Sequence, residues 1–227
     1  MDRRRFIQVT GTAGIVGAAG CLDSIPGTGG GRTVLSEPEM DLSAAAHPSH
    51  GDDLPLVELP DPLAGETIST AELEGDRALL MTFIYTNCPD GMCPALTLRL
   101  RRAQEVAIAD GHHDDAAFLA TTFDPERDTA DVLREYAIEQ GVDLDAGNWH
   151  FLRPERYEAG AELLEEEFGL VIEKVETEEF GGIGYGFPHY NLILLVNRQG
   201  VVERAYPNGA TVDIGRVIED FETVVSA

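Results

Sequence analysis

The run Leu79-Leu80-Met81-Thr82-Phe83-Ile84-Tyr85 constrains the fold more than any other stretch of the chain. It is apolar without alternation and has the length of a strand, so both of its faces must be covered, as inside a largely parallel sheet. Such a strand needs covering helices and long crossovers to its parallel neighbours. The chain that follows supplies them. Pro94 can occupy the first turn of a helix running to about Ala109, with Leu96, Leu98, Leu100, Ala103, Val106 and Ala107 as its apolar faces. Ala116 to Phe123 reads as a second strand, broken by Asp124-Pro125, and Asp128 or Thr129 caps a helix through Gln140. Trp149 to Leu152 is a short strand, Pro154 opens a helix ending near Phe168-Gly169, and Leu170 to Val175 reads as a further strand. Asn191 to Val196 and Val201 to Tyr206 form a hairpin about Asn197-Arg198-Gln199-Gly200, and Asp213 to Val225 is the last helix. With 43% hydrophobic residues, the chain can fill one core of ordinary domain size.

Alternating strands and helices predict an α/β domain over 54–227, a central mixed sheet flanked by helices. Two cysteines lie at the mouth of its first strand-to-helix turn, Thr86-Asn87-Cys88-Pro89-Asp90-Gly91-Met92-Cys93-Pro94. Thiols in that position are the mark of a thioredoxin-like fold. The positive end of the helix favours thiolate, which is both the nucleophile of disulfide exchange and a soft metal ligand. Cys88 and Cys93 are therefore a candidate redox pair and candidate metal ligands. His189 stands in Gly186-Phe187-Pro188-His189-Tyr190, just before the Asn191 strand. In a sheet of this kind that loop should face the cysteine helix, which makes His189 a candidate third ligand.

These segments resemble the Sco/SenC family of thioredoxin-like copper proteins, which serve the assembly of cytochrome c oxidase. The resemblance rests on Tyr85-Thr86-Asn87-Cys88-Pro89-Asp90, on Cys93-Pro94, on Phe123-Asp124-Pro125-Glu126-Arg127-Asp128-Thr129 and on His189. It implies a metallochaperone whose Cys88, Cys93 and His189 bind one copper ion. It also implies delivery of copper to the dinuclear site of oxidase subunit II, reduction of that site's cysteines, or both. A thiol-disulfide oxidoreductase acting on exported proteins is the rival reading, although the Cys-x-x-Cys loop of ordinary thioredoxins is absent. Two departures stand out. The family pattern has three residues between the cysteines, whereas here there are four, and Gly91 can let the loop bulge around the extra one. The family histidine usually follows Asp, whereas His189 follows Pro188, a position where thioredoxin-like folds often hold a cis proline. Met92 offers a thioether beside Cys93, as a loop filler or an extra ligand.

The N-terminus reads as an address. Arg3-Arg4-Arg5-Phe6-Ile7 and the Gly/Ala-rich run after it look like a twin-arginine signal over 1–20, and Ala18-Ala19-Gly20-Cys21 resembles a lipobox with Cys21 as the lipidated residue. Residues 21–53, rich in Gly, Pro, Ser and Ala, read as a flexible tether in which His47 and His50 are solvated. The expected location is the outer face of the cytoplasmic membrane, held by the lipid. If Cys21 carries lipid, Cys88 and Cys93 remain as a pair in a compartment where disulfides persist. Charge adds two points. With 16 Lys+Arg against 41 Asp+Glu, the net charge of -25 repels phosphate and argues against a nucleic-acid partner. Lys174 is the single lysine, and an acidic, nearly lysine-free composition resembles that of proteins from salt-loving archaea, where screening quiets carboxylate repulsion. His112 and His113 read as a solvated turn, Glu165-Glu166-Glu167 as hydrated surface and Trp149 as core.

Overall fold

The computed structural model describes residues 31–176, 184–188 and 190–227. Cys21, His189 and the whole 1–20 signal lie outside the described residues. The elements in chain order are β1 (Glu58–Asp61), β2 (Glu66–Ser69), α1 (Thr70–Leu73), β3 (Ala78–Ile84), α2 (Met92–Asp110), β4 (Ala116–Thr122) and α3 (Ala130–Gln140). They continue with β5 (Trp149–Leu152), α4 (Tyr157–Phe168), β6 (Val175–Glu176), β7 (Tyr185–Gly186), β8 (Ile193–Val196), β9 (Val202–Tyr206) and α5 (Ile214–Val225).

A five-stranded sheet in the order β5-β4-β3-β8-β9 forms the centre. β3 runs parallel to β4 and β4 to β5, whereas β8 is antiparallel to both β3 and β9. The sheet is therefore mixed, as expected. Every residue of β3 and β4 is buried, which is why both strands are apolar on both faces. Leu80 is in register with Phe118, whose ring meets Phe221 of α5 at 5.6 Å. Phe83 points to the other face and meets Phe168 of α4 at 5.0 Å. α2 packs against α5 and touches α3 through a Thr97–Tyr136 hydroxyl pair at 2.9 Å. Trp149 is core, stacked on Phe118.

Of the two residues expected to cap α3, Thr129 does so, its side chain accepting from the Val132 amide. Other boundaries differ from the sequence expectation, each for a visible reason. α4 begins at Tyr157 rather than at Pro154, because the Glu126 carboxyl accepts the Tyr157 amide at 2.9 Å and so caps the helix from another loop. Residues 170–174 are not a strand. Among the described residues no strand pairs with them, and the Tyr157 hydroxyl takes their backbone instead, donating to the Ile172 carbonyl at 2.8 Å and accepting from the Lys174 amide at 3.0 Å. The β1–β2 hairpin, absent from the sequence reading, is antiparallel and lies beside β5.

The largest correction concerns the tether. The compact unit begins at Arg32, not at 54. Residues 32–53 form a strap along the edge strand β9. The buried Glu203 carboxyl accepts from the Val34 amide at 2.7 Å, the Leu35 amide at 2.9 Å and the Asn197 side chain at 2.6 Å. Gly51 donates to the Val202 carbonyl, Val202 to the Asp52 carbonyl and Leu54 to the Gly200 carbonyl. His47 is buried, and His50 hydrogen-bonds the Glu203 carbonyl through Nδ1 at 3.0 Å, so neither histidine is simply solvated. Gly169, in the left-handed region at φ 63°, marks where the strap meets α4, since a Cβ there would run into the Ala46 carbonyl. A strap held by backbone donors on one carboxyl needs no periodic apolar face, so its composition does not reveal it.

Candidate metal centre

β3 delivers the chain to the cysteine loop, and α2 takes it away. Gly91, the residue before α2, lies at φ 76° with open space where a side chain would be. The left-handed turn at Gly91 lets the helix begin at Met92, so Cys93 and Pro94 both sit in the first turn. Pro94 costs nothing there, because the first amides of a helix have no partner within it.

Cys88 is half-buried and Cys93 fully buried, both as thiols. The Cys93 amide points at the Cys88 sulfur at 3.3 Å, and the Tyr85 amide at the Cys93 sulfur at 3.4 Å. A hydrogen bond from the Cys93 side chain lowers the Cys88 thiol below its usual range, while the Asp90 carboxyl, 2.8 Å from that sulfur, opposes the shift. Burial pushes the Cys93 thiol well up. Of the two, Cys88 is the thiol whose ionisation is favoured, with Cys93 as its proton-bearing neighbour.

The Asp-Pro-Glu-Arg-Asp-Thr turn at the end of β4 reaches the residues just before Cys88 and the segment around Tyr185. Asp128 is buried and accepts from the Thr86 amide at 3.1 Å, the Thr86 hydroxyl and the Thr122 hydroxyl, and burial raises its carboxyl to about 6. Arg127 donates to the Asn87 side chain at 3.3 Å. The Pro125 carbonyl accepts twice from Arg153, at 3.0 and 2.7 Å. Asp124, also buried and raised by burial, accepts from the Tyr185 hydroxyl at 2.7 Å. Lys174 sits 4.0 Å from the other Asp124 oxygen and 3.9 Å from the centre of the Tyr185 ring. In the sequence this string shows only as a family resemblance, a strand break and a helix cap. The part its side chains play was not legible, because their partners lie far off in sequence.

His189 lies outside the described residues, but the two residues before it do not. Phe187 is buried, with its ring 5.0 Å from Tyr85, 5.2 Å from Phe123 and 5.8 Å from Tyr157. Its backbone also hydrogen-bonds the Tyr85 hydroxyl. The Phe187–Pro188 peptide is trans. Among the described residues no group of three His, Cys, Asp or Glu side chains is arranged to hold a metal, so a third donor beside the two sulfurs has to come from elsewhere. Two adjacent sulfurs, one tending to thiolate, fit a soft ion. Met92 is partly buried against the core, consistent with filling the loop. His112 bonds Asp115 at 2.9 Å in its polar turn, and Glu165, Glu166 and Glu167 are exposed.

The family model for SCO1/SenC matches residues 62–226, most of the chain. A SCO2-like protein of Rickettsia felis is 39% identical over 86 residues, which is 38% of each chain. A second, from Rickettsia conorii, is 34% identical over the same length. The chain thus spans little more than a third of the length of these curated relatives. Among solved structures, a SCO1/SenC family lipoprotein from Bacillus anthracis matches with a TM-score of 0.60 at 21% identity, over 76% of this chain and 94% of that one. Bradyrhizobium japonicum ScoI with copper bound matches with a TM-score of 0.57 at 22% identity, over 76% and 99%. Apo Sco1 from Thermus thermophilus matches with a TM-score of 0.58 at 24% identity, over 78% and 95%. At these identities the structural likeness speaks for the thioredoxin-like fold.

Proposed function

As the chain belongs to the SCO1/SenC family, we propose that it is a copper metallochaperone that holds one copper ion on Cys88, Cys93 and His189. The observation that carries this reading is the placement of Phe187. Two residues before His189, its ring lies against Tyr85, three residues before Cys88. A chain leaving Phe187 starts within reach of the sulfurs. Copper is the cargo. Cys88 offers a thiolate, and Cys93 gives up its proton as the metal takes its place. Two sulfurs favour Cu(I), while an imidazole suits Cu(II) as well. Delivery is to the dinuclear copper site of cytochrome c oxidase subunit II.

The test is copper titration of the reduced chain, wild type and His189→Ala. Wild type should bind one equivalent. The variant should lose most Cu(II) binding, keep weaker Cu(I) binding and still form the Cys88–Cys93 disulfide. Wild-type Cu(II) binding by the variant would overturn the ligand set. The contact between the two sulfurs then favours the second reading, a thiol-disulfide oxidoreductase acting on exported proteins.

The same proposal includes export by the twin-arginine signal and anchoring through lipid on Cys21 at the outer face of the cytoplasmic membrane. No helix among the described residues is long and apolar enough to cross a membrane, and one structural neighbour is itself named a lipoprotein. Mass spectrometry of the mature N-terminus checks the anchor; an unmodified Cys21 in an uncleaved chain rules it out. The acidic, nearly lysine-free composition supports work at molar salt. The thermal midpoint should therefore climb between ~0.1 and ~2 M KCl, as the Debye length falls from about 10 Å to below 3 Å. A flat midpoint across that range contradicts the halophilic reading.

A further inference from the structure

The two flanks of the cysteine loop are held differently. Beyond Cys88 the chain runs through exposed Asp90 and Gly91 and is held within the loop itself, the Asp90 carboxyl accepting from the Met92 amide at 3.0 Å and lying 2.8 Å from the Cys88 sulfur. Before Cys88 it is held twice by the turn that follows β4. Asp128 accepts both the amide and the hydroxyl of Thr86, and Arg127 donates to Asn87. A third donor, the Thr122 hydroxyl at the end of β4, completes the Asp128 carboxyl. Only a side chain with two acceptor oxygens and no donor can serve all three, since an asparagine turns an NH2 group toward one of them. Asp124, of like sign, raises that carboxyl further, so the three donors are what offset its burial.

We propose that Asp128 is a positioning residue for Cys88: it fixes the exit of β3 through Thr86 and so helps to hold the Cys88 sulfur against Cys93. This rests on the reading that Cys88 and Cys93 are the working groups, but not on the metal they hold. Burial of the carboxyl then has a use beyond stability, because the flank it stiffens is the one that carries the more exposed sulfur.

The experiment compares the full chain with Asp128→Ala, Asp128→Asn and Thr86→Val, the last keeping the amide and losing only the hydroxyl. Reduced protein is treated with oxidised glutathione. The Cys88 and Cys93 thiols give up two electrons and two protons, an S–S bond forms between them, and the reagent leaves as two molecules of glutathione. Alkylation and mass spectrometry read the rate of the intramolecular closing step, which requires the two sulfurs to be held within bonding geometry. Cu(II) titration is run in parallel, and circular dichroism checks folding. Asp128→Ala should slow closure about fivefold or more and weaken Cu(II) binding about tenfold, with smaller effects for Asp128→Asn and Thr86→Val. If Asp128→Ala does not fold, the other two variants decide, and at least a twofold slowing is expected of each. Folded variants that close the disulfide at the wild-type rate overturn the proposal, even if they bind copper less well. Slower closure in a protein whose wild type binds no Cu(II) supports the positioning role and sinks the copper reading alone.

Discussion

Asp128 and Glu203 are both fully buried carboxyl groups, each taking three donors, yet they serve opposite edges of the molecule's business. Asp128 stands at the mouth of the sheet and holds the start of the cysteine loop. Glu203 stands on the edge strand and holds the N-terminal strap. What they share is the kind of segment they hold. The strap leaves Val34 and Met40 exposed, and the loop leaves Asp90 and Gly91 exposed. Neither segment buries enough apolar surface to offset its ordering entropy. A saturated buried acid substitutes for that burial. On β9 it also hides an edge that would otherwise be open to pairing with another chain. At the cysteine loop it fixes a geometry. The comparison separates a carboxyl that protects the fold from one that shapes the site.

The sharpest way to break it is Glu203→Ala. Three donors, the Val34 and Leu35 amides and the Asn197 side chain, lose their acceptor together, and a loss of about 3 kcal/mol is expected. Urea unfolding should show it, with earlier proteolysis within residues 32–53. Copper binding should match wild type once the protein is folded. Weakened copper binding in that variant would join the two regions that the comparison separates.

Asp128 should behave in the opposite sense. Its carboxyl is raised from the ordinary 3.8 to about 6 by burial, so the folded state holds the proton more tightly than the unfolded one. The stability this supplies is complete below about 4 and is lost as the pH rises through 6, in all roughly 3 kcal/mol. Asp124, raised for the same reason, adds in the same direction. Asp128→Asn removes one ionisation, so its stability should fall less steeply than wild type between pH 4 and 6.5. Parallel pH profiles from urea midpoints would show that Asp128 is not ionising in that window.

The smallest effect belongs to Lys174, whose ammonium group lies over the Tyr185 ring and near Asp124. It is partly exposed, so Lys174→Ala should cost about 1 kcal/mol. Lys174→Arg tests whether the compact ammonium matters in a chain whose other basic residues are all arginine. Arginine matching wild type in thermal midpoint would reduce this contact to a general charge effect.

Strand and helix alternation was legible because it is written in local patterns. The unbroken apolar run of β3 demanded cover on both faces, the last helix starts at the expected place, capped by Asp213, and the β8–β9 turn fell at Asn197 to Gly200. The two cysteines before a helix were equally local, and so was the family string that points to them. The sequence by itself therefore determined the fold class and the place of the two cysteines in it. Only the tertiary structure decided how those cysteines are held. Asp128 reaches Thr86 across 42 positions, Asp124 reaches Tyr185 across 61, and Glu203 reaches Leu35 across 168. No periodicity records such pairs, because a hydrogen bond fixes its partners only once the sheet has brought them together. The strap is the plainest case. Its polar composition reads as loose chain, and it becomes part of the body because its backbone finds, on β9, the acceptors that a free tether would have found in water.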